Sequence, residues 1–319
     1  MTKRLIEGII RGDVRSIARA ISRIENDTQD KETLIDALYE HTGHALVVGI
    51  TGPPGSGKSS LLDRIIERER KQGKKVAVLA IDPSSPFTGG AILGDRLRMQ
   101  KHATDQGVFI RSMASRGHLG GVSGATADAV KVLDAAGFDL IMIETIGVGQ
   151  TEIEVMNLAD VVLLVLVPGL GDEIQALKAG VMEIGDIFVV NKSDKEEANR
   201  LKAEIEYVLH LKMSQEQSET NPIFMTSAIQ NTGIDQLVQG MHDYVQKMEA
   251  DGRLAQRRRK RLTLELRTIF TAKVEAHVHN FLDTDHKLDI WIDQILQKKS
   301  APYQLVNRKV AQVLKELKS

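Results

Sequence analysis

The sequence predicts an α/β protein built on a doubly wound, mostly parallel sheet, with helical extensions at both ends. Three observations carry that expectation. Short apolar runs recur through the middle of the chain, at 45–50, 76–81, 108–110, 140–143, 161–167, 187–190 and 223–225. Most are continuous rather than alternating, which is the pattern of strands covered on both faces. Segments with helical apolar spacing separate many of them, and that alternation calls for a parallel sheet with helices on both sides.

Residues 1–43 read as a helical extension, because Leu5, Ile9 and Ile10 and then Val14, Ile17, Ala18 and Ile21 recur at helical spacing, with another helix expected over 33–38. The stretch 44–250 holds all the strand runs, with helices expected at 59–71, 125–135, 195–211 and 234–248. After residue 250 no strand pattern returns. Leu262, Leu266, Ile269, Phe270, Val274, Val278, Phe281 and Leu282 form one long helical stripe, and Trp291, Ile292, Ile295 and Leu296 suggest a second, so 251–319 reads as a C-terminal helical arm. The run Arg257-Arg258-Arg259-Lys260-Arg261 is the one concentrated block of charge. It reads as the solvated face of a helix, since no aromatic-rich surface accompanies it as a nucleic-acid patch would need.

Composition narrows the classes. Of the 319 residues 42% are hydrophobic and 27% charged, with a net charge of −1, so no bulk attraction to nucleic acid or to an anionic membrane is expected. The sequence contains no cysteine, which excludes disulfides, thiolate metal sites and cysteine catalysis. The start lacks the apolar core of a signal peptide, and the longest apolar run, Val161 to Pro168, is far short of the roughly 20 residues that span a bilayer. A cytoplasmic protein is expected, with neither membrane nor nucleic acid as partner.

The chemistry begins after the first strand run. Gly52-Pro53-Pro54-Gly55-Ser56-Gly57-Lys58-Ser59 fits G-x-x-x-x-G-K-[ST], with Ser60 following on the helix. Glycines allow backbone N–H groups to turn inward around phosphate oxygens, and the helix N-terminus adds positive potential. Lys58 is expected to bridge the β- and γ-phosphates, and the Ser59 hydroxyl to hold Mg²⁺. Further magnesium ligands should be carboxylates at strand ends. Asp82 ends one strand run and Glu144 another, and Asp95 lies in the long loop after Asp82. Glu144-Thr145-Ile146-Gly147 resembles the D-x-x-G of many GTPases with Glu in place of Asp. Asp82 and Glu144 are, with Lys58, the catalytic candidates, and the sequence leaves open which of them ligates the metal, acts through water or orients the attacking water.

Base choice is written in Asn191-Lys192-Ser193-Asp194, the N-K-x-D pattern, directly after a strand run. The Asp194 carboxylate can accept two hydrogen bonds from guanine N1–H and N2–H₂, donors that adenine lacks on that edge. The Lys192 stem can cover the base, and Asn191 should tie this loop to the phosphate loop. Ser227-Ala228-Ile229, after the last strand run, can offer a backbone N–H to guanine O6. Loops at 83–95, 144–150 and 168–172 are rich in residues that let backbone rearrange, so they are switch candidates.

The phosphate loop, the stretch from Asp82 to Arg96, the stretch Glu144-Thr145-Ile146-Gly147-Val148-Gly149-Gln150, and Asn191 to Asp194 together resemble the MeaB/ArgK family, GTPases associated with methylmalonyl-CoA mutase. The resemblance covers roughly residues 1–300. It implies a central G domain, an N-terminal helical extension and a C-terminal arm used for homodimerisation. It also implies that GTP hydrolysis gates adenosylcobalamin loading onto a cobalamin-dependent acyl-CoA mutase, methylmalonyl-CoA or isobutyryl-CoA mutase, and protects or reactivates it. Gly147 and Gln150 fall in one implied switch, and Asp172, Gln175 and Lys178 in another. The chain lacks an Asp-x-His-x-x-Gly signature, so cobalamin is expected on the mutase and not here. A P-loop kinase acting on a small molecule or protein is the alternative, disfavoured by the guanine pattern. A nickel-delivery GTPase would call for a His/Cys-rich tract, which this sequence lacks.

Overall fold

The computed structural model describes residues 2–82, 100–102, 104–114, 121–145, 156–169, 181–212, 221–283 and 287–316. Three helices open the chain: α1 (Thr2–Ile10), α2 (Val14–Glu25) and α3 (Lys31–Leu38). Asp13 caps α2, its carboxylate accepting from the Ser16 N–H at 2.9 Å, which satisfies one of the free donors of the first turn. The helical spacing buries Ile17, Ala20, Ile21 and Ile24 on one side of α2.

The strands follow in order: β1 (Leu46–Thr51), β2 (Val76–Asp82), β3 (Val108–Ala114), β4 (Leu140–Thr145), β5 (Val161–Leu166), β6 (Ile187–Asn191) and β7 (Ile223–Thr226). They form one sheet in the order β3-β2-β4-β1-β5-β6-β7, and every pairing is parallel. Between them run α4 (Lys58–Lys71), α5 (Gly121–Ala135), α6 (Ala198–Lys212) and α7 (Ile234–Ala250). Each strand run read from the sequence is a strand, and the helices expected between them are present within a few residues of their expected bounds.

Alternate side chains of each strand enter different layers. Val47, Leu79, Ile141 and Val162 pack with α2, α3 and α5, whereas Val48, Val78, Met142, Leu163 and Val189 pack with α4 and α7. Leu164, Leu166, Phe188 and Val190 meet Leu201, Ile205 and Leu209 of α6. Helices therefore cover both faces, which is why the strands read as unbroken apolar runs. From β1 the chain passes to β2 and β3, returns to β4, and crosses to β5 on the other side of β1. That reversal puts the loop after β1 at the switch point where ligands bind in open α/β sheets.

Three further helices close the chain: α8 (Arg253–Asp283), α9 (Lys287–Leu296) and α10 (Pro302–Glu316). The structure divides into two compact units, Met1–Thr263 and Leu264–Ser319. In the second, Leu305 is buried and Lys309 Nζ lies 5.7 Å from the Trp291 ring centroid.

The basic run is not simply a solvated face. Arg258 reaches Asp160 at 3.0 and 2.8 Å, Arg261 reaches Asp160 at 3.2 Å, and Arg257 reaches Asp186 at 2.6 Å. Only Arg259 and Lys260 of the five are exposed. Asp160 is fully buried and also accepts the Val47 N–H at 3.1 Å. Burial pushes the Asp186 carboxyl up, and Arg257 and the Val162 N–H oppose that. The first turns of α8 are thus bonded to the starts of β5 and β6. Among the described residues no helix is long and apolar enough to cross a membrane.

Candidate functional site

Thr51 ends β1 and the chain turns sharply through Gly52, whose φ of +148° and whose closeness to β5 both exclude a side chain. A Cβ there would lie 2.1 Å from the Val165 carbonyl oxygen. The loop closes with the Ser56 N–H donating to the Pro53 carbonyl at 3.2 Å, and α4 starts at Lys58. Lys58 is 6% exposed, and its Nζ donates to the Gly52 and Pro53 carbonyls at 2.7 and 3.1 Å. Its ammonium is therefore held inside the curl of the loop. Burial pushes the Lys58 pKa down, and the nearby Glu144 carboxylate opposes that. Among the described residues the buried Ser56 hydroxyl has no hydrogen-bond partner.

Ser59, one residue along α4, donates from its hydroxyl to Glu144 Oε1 at 2.6 Å. Glu144 lies at the end of β4, paired in register with Ile50 of β1, and is 5% exposed. Beside it the Thr145 hydroxyl donates to that of Thr51 at 3.0 Å. A hydroxyl and a carboxylate this close, at the mouth of a phosphate-type loop, are hard oxygen donors of the kind that suit Mg²⁺. Asp82 is the last residue of β2, opposite Ala114 of β3 and two residues beyond Ala80, which pairs with Glu144. The backbone thus carries Asp82 to the same sheet edge. Asp95, Gly147, Gln150, Asp172, Gln175 and Lys178 lie outside the described residues.

Asn191 ends β6 and joins three segments. Its Nδ2 donates to the Ser56 carbonyl at 2.8 Å, and its Oδ1 accepts from the Thr226 hydroxyl and from the Ala228 N–H, both at 3.3 Å. Lys192, at φ +57°, extends its Nζ to the Gly55 carbonyl at 2.8 Å. Asp194 accepts from the Ser227 hydroxyl at 2.5 Å, and that bond, first among several, holds its carboxyl below the usual range. Ala228 is buried and Ile229 is 82% exposed. Gly55, Ser56, Lys58, Ser59, Glu144, Asn191, Lys192, Asp194, Ser227 and Ala228 are thus linked along one edge of the sheet. Pro54 and Ser60 are exposed beside them. Sequence reasoning passed over Arg64, whose Nε donates to the Ala228 carbonyl at 3.1 Å. No motif marks it.

A seven-stranded parallel sheet with this loop at its switch point defines a P-loop nucleotide-binding protein. The model of one family, described as methylmalonyl-CoA mutase-associated GTPase MeaB, matches residues 17–282. The chain belongs to that family and is a GTPase. It is 47% identical over 319 residues to a Pyrococcus abyssi protein carrying the provisional name GTPase, covering 99% of this chain and 97% of that one. It is 35% identical over 299 residues to the GTPase ArgK of Escherichia coli, covering 91% and 89%. The methylmalonic aciduria type A homolog of Mus musculus, a mitochondrial protein, is 35% identical over 274 residues, or 80% of this chain and 66% of that one. In fold it is similar to the solved structure of an LAO/AO transport system kinase, with a TM-score of 0.71 at 25% identity over 98% of this chain and 97% of that one.

Proposed function

We propose that this GTPase is a Mg²⁺-dependent switch that gates adenosylcobalamin loading onto a cobalamin-dependent acyl-CoA mutase, methylmalonyl-CoA or isobutyryl-CoA mutase, and protects or reactivates that enzyme. Family membership supports the mutase link. The observation that carries the nucleotide chemistry is the placing of Asn191, one side chain bonded at once to the phosphate loop and to the loop after β7. Base and phosphates are then read at a fixed spacing, and a nucleotide that fits one end is held for chemistry at the other.

The contacts of the described residues support these roles, and the family resemblance supports those of the others. Lys58 exchanges the carbonyls of Gly52 and Pro53 for β- and γ-phosphate oxygens and stabilises charge that builds during transfer. Backbone N–H groups of residues 55–60, at the start of α4, receive the remaining phosphate charge. Ser59 and Glu144, with Asp82 and Asp95 as further candidates, hold Mg²⁺, which when bound offsets the negative charge of the phosphates. Glu144 also serves, with Asp82, as candidate for orienting the attacking water. Asp194 takes guanine N1–H and N2–H₂, Lys192 covers the ring, and the Ser227–Ile229 main chain meets O6. Gly147, Gln150, Asp172, Gln175 and Lys178 are the proposed switch residues, and cobalamin stays on the mutase.

Purified protein mixed with each candidate mutase tests the partner. A stable complex and GTP turnover that changes with mutase concentration are expected. Failure to associate with any cobalamin-dependent mutase, with turnover unaltered, would remove the proposed partner and leave the GTPase.

A further inference from the structure

The loop after β7 is held from a second side that the guanine motifs do not account for. It closes on itself as a turn, with the Ser227 N–H donating to the Thr232 carbonyl at 3.0 Å and the Thr232 N–H to the Ser227 carbonyl at 3.1 Å. The Gln230 N–H adds a bond to the Ser227 hydroxyl at 3.3 Å. Two arginines of α4 reach this turn. Arg64 Nε donates to the Ala228 carbonyl at 3.1 Å, while its Nη1 donates to Glu67 Oε2 at 3.1 Å. Arg68 Nη2 donates to Asn231 Oδ1 at 3.1 Å and its Nε to Asp235 Oδ1 at 2.5 Å. Residues four apart on a helix share a face, so one edge of α4 grips both sides of the turn.

Ala228 is thereby fixed at both backbone groups. Asn191 Oδ1 takes its N–H at 3.3 Å and Arg64 takes its carbonyl. The first support comes from β6 and the second from the helix whose N-terminus carries Lys58 and Ser59. Hydrogen bonds from a charged donor are stronger than neutral ones, and Glu67 steadies the guanidinium that makes this one. A single rigid helix then sets the distance between phosphate loop and base loop.

We propose that Arg64, backed by Arg68, is a positioning residue for base recognition. It holds the Ala228 carbonyl so that the main chain of this turn meets the O6 edge of the purine at a fixed offset from the phosphates. The inference rests on the guanine reading given above. An arginine that merely stabilises the fold would not alter which base is preferred, whereas one that places the base loop would.

The test measures Kd for GDP, IDP and ADP by calorimetry in the full chain, its R64M and R64Q variants, and R64K. GDP and IDP share O6 and differ only in the 2-amino group, and ADP carries an amine where they carry O6. In R64M and R64Q, GDP and IDP should weaken by the same factor, about three- to tenfold for one lost hydrogen bond, while ADP is unmoved and the GDP-over-ADP preference falls. R64K, which keeps a cationic donor, should recover part of that preference. An equal loss for all three nucleotides would show a displaced phosphate loop and overturn the proposal, as would a full GDP preference in whichever neutral variant folds. Absence of a GDP preference in the unaltered protein would instead defeat the guanine reading itself, so the two failures are told apart.

Discussion

Lys58 is almost wholly out of solvent, and burial alone would favour its neutral form, while Glu144 beside it favours the ammonium. A buried cation facing the loop's own carbonyls is well placed to receive phosphate oxygens. Lys58→Ala should reduce GTP turnover by on the order of a hundredfold or more, read as phosphate release under saturating GTP, and unchanged turnover would remove the loop from the chemistry. In the proposed reading Asp194 sets the base preference by a different principle, the matching of a carboxylate to two donors. Asp194→Asn replaces one acceptor oxygen with a donor and should move preference from GTP toward XTP by on the order of a hundredfold. If GTP still outcompetes XTP in that variant, Asp194 does not read the base. The Ser227 hydroxyl holds the Asp194 carboxyl below its usual range, so the group stays ionised as pH falls. The GDP-over-ADP preference should accordingly be flat between about pH 8 and about pH 5, since even an ordinary aspartate titrates near 3.9. A preference that collapses within that window would point to another titrating group. At this scale the motif residues were legible because each type does one job at a fixed spacing. Arg64 was not, because its partner is a backbone carbonyl 164 positions away and any arginine on a helix looks the same in sequence.

The strands were legible as elements because both faces of the sheet are covered, leaving unbroken runs such as Val161 to Leu166, buried throughout. The start of α8 was not. Its arginines look like a solvated block until Asp160 and Asp186 are brought beneath them by the starts of β5 and β6. Helix α10 lies within the expected helical arm but was not singled out there, since polar residues interrupt the pattern of Tyr303, Leu305, Val306 and Val310, of which only Leu305 is buried. The clamp has a measurable energy. Asp160→Ala would remove the buried carboxylate that Arg258, Arg261 and the Val47 N–H share, leaving Arg258 only the Gly43 and Ala45 carbonyls and Arg261 only the Leu158 carbonyl. A loss of about 1–3 kcal/mol is expected, because the Val47 N–H is left unsatisfied while the half-buried arginines keep water and carbonyl acceptors, measured as a lower denaturant midpoint, and a variant as stable as the parent would show that the cluster is idle. Gly233 is a second element-scale lever. It enters α7 at φ +72°, and an added Cβ would lie 2.0 Å from the Met225 carbonyl oxygen. Gly233→Ala should therefore cost on the order of 1–3 kcal/mol and disturb the turn that Arg64 grips.

Across the whole molecule, the two compact units differ in how they use apolar side chains. The three hydrophobic clusters draw their buried residues from Leu5 to Leu254, all in the first unit. The second unit exposes Leu264, Leu266, Ile269, Phe270, Val274 and Val278 along α8 and Leu288, Ile290, Ile292 and Leu296 along α9. Spacings of three, four and eight residues put many of these on shared helix faces, and extended apolar surface of this kind is typical of association sites. This supports the homodimer through the C-terminal arm that the family resemblance implies, and makes the truncation point decisive. A chain ending at Thr263 keeps Leu254 and the three arginines that bind Asp160 and Asp186, so it should fold, hydrolyse GTP and run as a monomer in light scattering while the full chain runs as a dimer. A chain ending at Ala250 loses the same arm and the arginine clamp as well, so it should be monomeric but less stable, with a lower melting temperature. The pair separates association from folding, because the clamp lies entirely between the two cuts. If the chain ending at Thr263 still dimerises, the arm is not the interface and the exposed stripe along α8 serves another partner.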